Sequence, residues 1–229
     1  MITAYIQSLK VLREKKGLSQ HDIAKKLGIS RTSFIAIEQG KKELSLSEAR
    51  TLSNLFGVSL EDMQVGLLPN YEKYKEMILF YLRSANSKGD GKMPKTKLAK
   101  LLYLADFAWF YENLNSMSGM QYRHIQFGPV PDLYFRALDE LESDGKINLD
   151  RTKDEVILIH ESEGSKMRKL NALSSEEKSL IKKIERKWRS KRTSEIVNFT
   201  HEQLPYRLCV QDELIPYELI IQEDPTHVY

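Results

Sequence analysis

Cysteine is almost absent. Cys209 is the single one among 229 residues, so no disulfide can close within the chain and no Cys-rich zinc site can be assembled. Long apolar runs are missing too: the most apolar stretch, Leu101 to Tyr111, is broken by Asp106 and falls far short of the roughly 20 residues that a membrane span needs. The opening residues lack the basic-then-apolar layout of a signal peptide. No two of His21, His124, His160, His201 and His227 stand at the HExxH spacing of a metalloprotease, and no internal repeat or low-complexity tract is visible. These absences predict a reducing, cytoplasmic setting, with no metal, no cofactor and no membrane partner.

What is present is ordinary globular material, 41% apolar and 29% charged, with length for one large domain or two small ones. The net charge of +3 hides strong segregation. Residues 1–66 carry ten Lys/Arg against seven Asp/Glu, and residues 67–162 thirteen against fourteen. Residues 163–192 carry eleven against four, whereas 193–229 carry only Arg207 against seven acids.

The first 66 residues read as a run of five short helices. Ile2, Tyr5, Ile6, Leu9 and Leu12 recur at helical spacing, and Lys15-Lys16-Gly17 supplies basic residues and a glycine stop. Ser19 is the expected cap of a second helix that turns Ile23, Ala24 and Leu27 inward and ends at Gly28. Ser30 caps a third, with Phe34 and Ile37 on one face and Gly40 at its end. Ser47 caps a fourth through Leu55 and Phe56, with Glu48 in the first turn, where the helix dipole favours acid. Ser59, with Asp62 three residues on, opens a fifth short turn.

Two helices of about eight residues joined by Gly28-Ile29-Ser30 have helix-turn-helix spacing. The stretch Leu18-Ser19-Gln20, then Ile23-Ala24, Leu27-Gly28-Ile29-Ser30-Arg31-Thr32-Ser33-Phe34, Glu38-Gln39-Gly40-Lys41 and Leu55-Phe56-Gly57-Val58-Ser59-Leu60 resembles the lambda-repressor-like, or Xre-type, DNA-binding domain. The resemblance implies that Gln20, at the start of the second helix, contacts a phosphate. It further implies that the third helix enters the major groove, with Arg31, Thr32, Ser33 and Ala36 on the reading face. Arg31 can offer two parallel donors to guanine, and Thr32 can bond a base or touch a thymine methyl. Ile35 and Ala36 stand at family positions that are often polar, so readout there rests on apolar contact. Lys41 and Lys42, just beyond the helix, suit the phosphate backbone. Residues 1–45 carry nine basic residues against four acidic ones, in keeping with attraction to phosphate. One copy reads a half-site, so a homodimer on operator DNA is the expected arrangement.

Val65 to Asn70, with Gly66 and Pro69, reads as a linker. Beyond it the spacing predicts a helix over Tyr71 to Ala85, a Ser-Lys-Gly-Asp-Gly loop, and a helix from Lys95 to Asn113 that is apolar on most sides and therefore central to a core. Met120 to Phe127 reads as a strand, and Val130-Pro131 as the opening of a helix ended by Gly145. Lys146 to Leu149 and Glu155 to His160 form a hairpin. Ser174 and Glu177 make a capping box for a helix carrying Leu180, Ile181, Ile184 and Trp188. A short helix from about Ser194 to His201 precedes an irregular acidic tail. The expected fold is mainly α: a five-helix helix-turn-helix domain over 1–66, and a larger helical domain over 67–229 with a small β-hairpin or sheet (α+β).

No catalytic constellation is present in the second domain; His201-Glu202 reads as a capping or core contact, and the chain is expected not to be an enzyme. Three segments of it, however, look like the Panacea, or SocA-like, antitoxin domain: Lys97-Leu98-Ala99-Lys100-Leu101-Leu102-Tyr103-Leu104-Ala105-Asp106-Phe107, Ser118-Gly119-Met120-Gln121-Tyr122, and Phe127-Gly128-Pro129-Val130-Pro131. Leu138 to Ile147, Thr200-His201-Glu202 and Ile215-Pro216-Tyr217 continue the likeness, which covers roughly residues 70–220. It implies an antitoxin of a type II toxin–antitoxin system that binds a cognate toxin encoded by the adjacent gene and represses its own operon. Tyr122, Phe127, Gly128, Pro129 and Val130 then either meet the toxin or build the fold. The basic stretch Lys166 to Arg192 is a solvated face, a hold for an acidic partner, a second nucleic-acid contact, or a match for the acidic tail. The alternatives are a one-component regulator that senses a small molecule and a self-cleaving phage-type repressor.

Overall fold

The computed structural model describes residues 9–14, 16–56, 69–86 and 91–229. The expected start of the first helix (Ile2, Tyr5, Ile6), Lys15, the fifth turn capped by Ser59, residues 65–68 of the linker and residues 87–90 of the glycine loop lie outside them. The chain divides into two compact units, Met1–Pro69 and Asn70–Tyr229.

In the first unit, α1 is described over residues 9–14, followed by α2 (Gln20–Leu27), α3 (Arg31–Glu38) and α4 (Leu46–Phe56). Ser19 caps α2 by a reciprocal box with Asp22, which satisfies two backbone donors at once. These Ser19 contacts, side chain first and backbone second, hold the Asp22 carboxyl below its usual range. Gly28 closes α2 at φ 69°, a left-handed position that costs an L side chain about 1 kcal/mol or more. The cap of α4 is Ser45, not Ser47: Ser45 N–H donates to Glu48 Oε2 at 2.7 Å and Glu48 N–H to Ser45 Oγ at 3.2 Å. The Ser-x-x-Glu spacing of a capping box fits Ser45 and Glu48, whereas Ser47 stands next to the glutamate. The helices converge on Leu9, Leu12, Ile23, Phe34, Ile37 and Leu52, all buried.

The second unit is organised around α6 (Lys95–Asn113), whose residues 97–108 are all buried. Before it lie α5 (Tyr71–Asn86) and β1 (Met93–Pro94). After it come β2 (Tyr122–Arg123), β3 (Val130–Pro131), α7 (Tyr134–Ser143), β4 (Ile147–Arg151), β5 (Ile157–Glu161) and α8 (Glu163–Lys166). The chain ends in α9 (Ser175–Trp188), α10 (Thr193–Glu202), α11 (Leu204–Arg207) and two 3-10 turns, Tyr217–Gln222 and Pro225–His227. One antiparallel sheet runs β1-β5-β4, with Leu149 opposite Ile159; a second pairs β2 with β3. The unit is mainly α with small sheets, in agreement with the sequence reading. Ser174 and Glu177 cap α9 reciprocally, as their spacing predicts.

Buried tyrosines carry their hydroxyls to backbone carbonyls: Tyr81 to Leu101, Tyr134 to Lys95 and Tyr217 to Met120, at 2.6–2.9 Å. Each satisfies a polar group that would otherwise cost free energy in the core. Lys97 donates to the carbonyls of Arg189 and Lys191, placing a cation at the C-terminal end of α9. Arg83 grips the buried Glu161 through both Nε and Nη2 and also reaches the carbonyls of Ser165 and Arg168.

Two expectations of strand and helix are corrected. Val130-Pro131 does not open a helix: it pairs with Tyr122–Arg123 as β3, and α7 starts three residues later at Tyr134. Proline fits there because its missing N–H only removes one ladder bond from a two-stranded edge. The strand expected over Met120–Phe127 shrinks to two residues, since Gly128 N–H closes a turn onto Ile125 O at 2.8 Å. The acidic tail is irregular apart from α11 and its two 3-10 turns, as expected, yet it buries Ile215, Tyr217, Ile220 and Val228 in the core. Its last residue meets the basic stretch: Lys187 donates to Tyr229 O, and Lys183 and Lys187 both stand over the Tyr229 ring. Among the described residues one ion pair joins 163–192 to 193–229, Lys191 to Glu195 at 3.3 Å.

Candidate functional site

The helix-turn-helix places α3 by burying Phe34 and Ile37 and leaving the opposite face outward. Ser30 caps it, accepting from Ser33 N–H at 3.0 Å. Arg31 and Thr32, in the first turn, are exposed; Ser33, Ile35 and Ala36 are half-buried. Lys41 and Lys42 are exposed and follow directly, with both of their backbone N–H groups donating to Ala36 O. The residues singled out in α3 and just beyond it thus lie together along this element.

Gln20 is half-buried and makes a contact that sequence reading missed: its Nε2 donates to Glu38 Oε2 at 2.8 Å. The same carboxylate receives Arg13 Nε at 2.6 Å. An amide NH2 has two donors, so the Glu38 bond fixes the Gln20 head while leaving one N–H for a phosphate oxygen. Arg13 and Glu38 are 11% and 6% exposed, dry enough for the pair to act as a rigid brace. The signal for it in sequence is a glutamate at the last turn of α3, where the helix dipole disfavours acid.

In the second unit, Tyr122 is fully buried and donates through its hydroxyl to Asp106 Oδ2 at 2.8 Å. Asp106 also accepts from Ser118 N–H at 2.6 Å and Ser118 Oγ at 2.5 Å. Burial outweighs these hydrogen bonds and pushes the Asp106 carboxyl up to about 6. Val130, Gly128 and Pro129 are buried as well. Of the five residues considered for partner contact, Phe127 alone is exposed, at 67%; the other four belong to the interior.

The turn around Gly128 joins segments that are far apart in sequence. Gly128 has φ 89°, and a Cβ there would lie 2.9 Å from both Lys100 Nζ and His201 Nε2. Glycine is therefore required by conformation and by space. Lys100 is fully buried and donates to Pro129 O at 3.1 Å; burial without a counter-charge brings its ammonium down to about 7. Of the two contacts expected for His201, capping or core, the structure shows a packing contact. Its ring lies parallel to Tyr206 at 4.4 Å, while His124 stacks on Tyr206 at 3.8 Å. Burial first, and then Lys100 and His124, hold His201 below its ordinary value. Among the described residues no cluster of His, Cys, Asp and Glu could hold a metal ion, and no helix is long and apolar enough to cross a membrane.

Two family matches divide along these lines. Residues 9–63 match the helix-turn-helix family, and residues 98–205 match the family described as antitoxin SocA-like, Panacea domain. An uncharacterized HTH-type transcriptional regulator of Methanocaldococcus jannaschii is 49% identical over 55 residues, 24% of this chain and 83% of the relative. A counterpart in Archaeoglobus fulgidus is 33% identical over 55 residues, 24% of this chain and 79% of that protein. The Bacillus subtilis HTH-type regulator YqaE is 36% identical over 62 residues, 27% of this chain and 53% of YqaE. No solved structure matches the chain. The chain belongs to the HTH-type transcriptional regulators, with an Xre-type helix-turn-helix domain at its N-terminus joined to a Panacea, SocA-like antitoxin domain.

Proposed function

We propose that this chain is the antitoxin of a type II toxin–antitoxin system. Its second domain, over residues 67–229, binds and neutralises a protein toxin encoded by the adjacent gene. Its first domain, over residues 1–66, represses the shared operon as a homodimer in the cytoplasm. The observation that carries this reading is the union of a regulator-type helix-turn-helix with a SocA-like antitoxin domain in one polypeptide.

On DNA, Arg31 and Thr32 are the base readers, with Ser33 and Ala36 beside them. Gln20, braced by Glu38, and the exposed Lys41 and Lys42 hold phosphates and fix the register. Two copies related by a two-fold axis meet half-sites about 34 Å apart, one helical turn. Toxin contact centres on the exposed Phe127 at the tip of the Ile125–Gly128 turn. If toxin binding alters the dimer geometry, toxin and operator binding are linked, and each then alters the affinity of the other by the same factor. Neither activity requires a reaction step, and the chain is not an enzyme in this reading.

Tagged full-length chain co-expressed with the neighbouring gene is expected to retain that gene's product through purification at a fixed stoichiometry. Separate elution of the two proteins would remove the antitoxin reading.

A further inference from the structure

Beyond its first turn, the outer face of α9 is cationic. Leu180, Ile181, Ile184 and Trp188 turn inward and are buried, which leaves Ser179, Lys182, Lys183, Arg186, Lys187 and Ser190 exposed in one stripe at helical spacing. The acids of this region are committed elsewhere: Glu177 pairs with Lys73, Glu185 with Arg189 and Glu195 with Lys191. Glu112 bears on Lys183, but more weakly than Tyr229 does. The lysines rest on aromatic rings instead. Lys182 Nζ stands 5.7 Å from the Phe80 centroid, Lys183 Nζ 5.1 Å from that of Tyr229 and Lys187 Nζ 5.4 Å from that of Phe199. An aromatic face attracts a cation without neutralising it, so the charges are held in place on a rigid helix and remain available.

We propose that this face is a second DNA contact, a site for the phosphate backbone centred on Lys182 and Arg186 with Lys183 and Lys187 beside them. Phosphates need what the stripe supplies, point charges and hydroxyls on a fixed element. A protein partner needs something else: aromatic or apolar anchors, in interfaces from which lysine is depleted. No exposed large apolar side chain lies between Met167 and Leu208. From Lys182 to Ser190 the stripe runs about 12 Å at ~1.5 Å per residue, long enough to meet several charges of a duplex that carries one per about 1.7 Å. The chain belongs to the HTH-type regulators, so a duplex held by the first unit keeps the second at high local concentration through chain continuity alone. The contact reads no base. It adds affinity and salt dependence to whatever sequence α3 selects. The inference rests on DNA binding by this chain and not on the antitoxin reading.

The test is fluorescence anisotropy of the full-length chain on a labelled mixed-sequence duplex of about four helical turns, over a series of salt concentrations. On logarithmic axes affinity falls with salt at a slope of about 0.9 per phosphate contact. Joint Lys182→Gln and Arg186→Gln substitution should flatten the slope by about 2. Joint Arg151→Gln and Lys153→Gln substitution removes the same charge from exposed positions of the β4–β5 hairpin and should leave the slope nearly unchanged. Ser179→Lys adds a cation to the stripe and should steepen the slope by about 1, a gain that a damaged fold does not produce. The same differences are expected on an Arg31→Ala background, which separates this contact from base reading by α3. A slope unchanged by the Lys182 and Arg186 substitutions, or flattened equally by the hairpin control, would overturn the proposal. So would a parent chain that does not bind the duplex at low salt. Loss of the co-expressed neighbour with an unchanged slope would give the face to an acidic protein and overturn it as well.

Discussion

Arg13 donates through Nε to the Glu38 carboxylate at 2.6 Å, tying the first helix to the last turn of the recognition helix. Since Gln20 shares that carboxylate, Glu38 serves the fold and, in the proposed reading, also orients the phosphate contact. Glu38→Gln should destabilise the chain by about 1–2 kcal/mol, because Arg13 loses its buried counter-charge while keeping Glu14 at 3.5 Å and the Leu18 carbonyl at 3.1 Å. Chemical denaturation reads this cost. Gln20→Ala should leave stability nearly unchanged and lower only operator affinity; equal losses of stability in both variants would contradict the brace.

Base reading and phosphate holding separate in a salt series. Arg31→Ala should cost about 1–3 kcal/mol of operator affinity and relax preference at one base pair. Lys41→Ala should weaken binding to all sequences alike and reduce the salt slope by about 1. Gel-shift titrations over several salt concentrations check both, and unchanged binding by the Arg31 variant would show that α3 is not the reader.

The helix-turn-helix was legible because its signals are local. Ser19, Gly28 and Ser30 punctuate helices whose hydrogen bonds close within four residues, and their caps occur where spacing placed them. The Ser45 cap was missed because serine also occupies position 47, next to the same glutamate. Pairing across the chain left no such trace. Val130-Pro131 is a strand only because Tyr122–Arg123 lies opposite it. Lys100, Gly128 and His201 stood in the sequence as three separate motifs, and nothing in their spacing indicates that two side chains meet over one glycine.

Gly128→Ala should destabilise the second unit by about 2–4 kcal/mol, combining left-handed strain with overpacking against Lys100 and His201. Operator binding by the first unit should survive at temperatures where the second has melted. Calorimetry and gel shift together test this, and a melting profile equal to that of the parent chain would contradict the close packing.

Asp106 sets a pH dependence. Its carboxyl titrates at about 6 in the folded chain against an ordinary 3.8. A raised acid stabilises the fold below the unfolded value and loses that contribution as pH rises through the folded one. Asp106→Asn should therefore gain stability relative to the parent chain as pH rises from about 4 to about 6. A difference between the two that is constant over this window would show that the carboxyl is not raised.

Substitution of the exposed Phe127 tests the proposed partner contact apart from folding. Phe127→Ser should change stability by less than about 0.5 kcal/mol, as exposed positions do, yet reduce recovery of the co-expressed toxin.

The most direct measurement is growth after a pulse of the neighbouring gene, with and without this chain. The account predicts arrest by the neighbour alone, rescue by the full chain, and loss of rescue when the chain is truncated after Gly66 although some operator binding remains. Growth unaffected by the neighbour, or arrest that the full chain does not relieve, would contradict it.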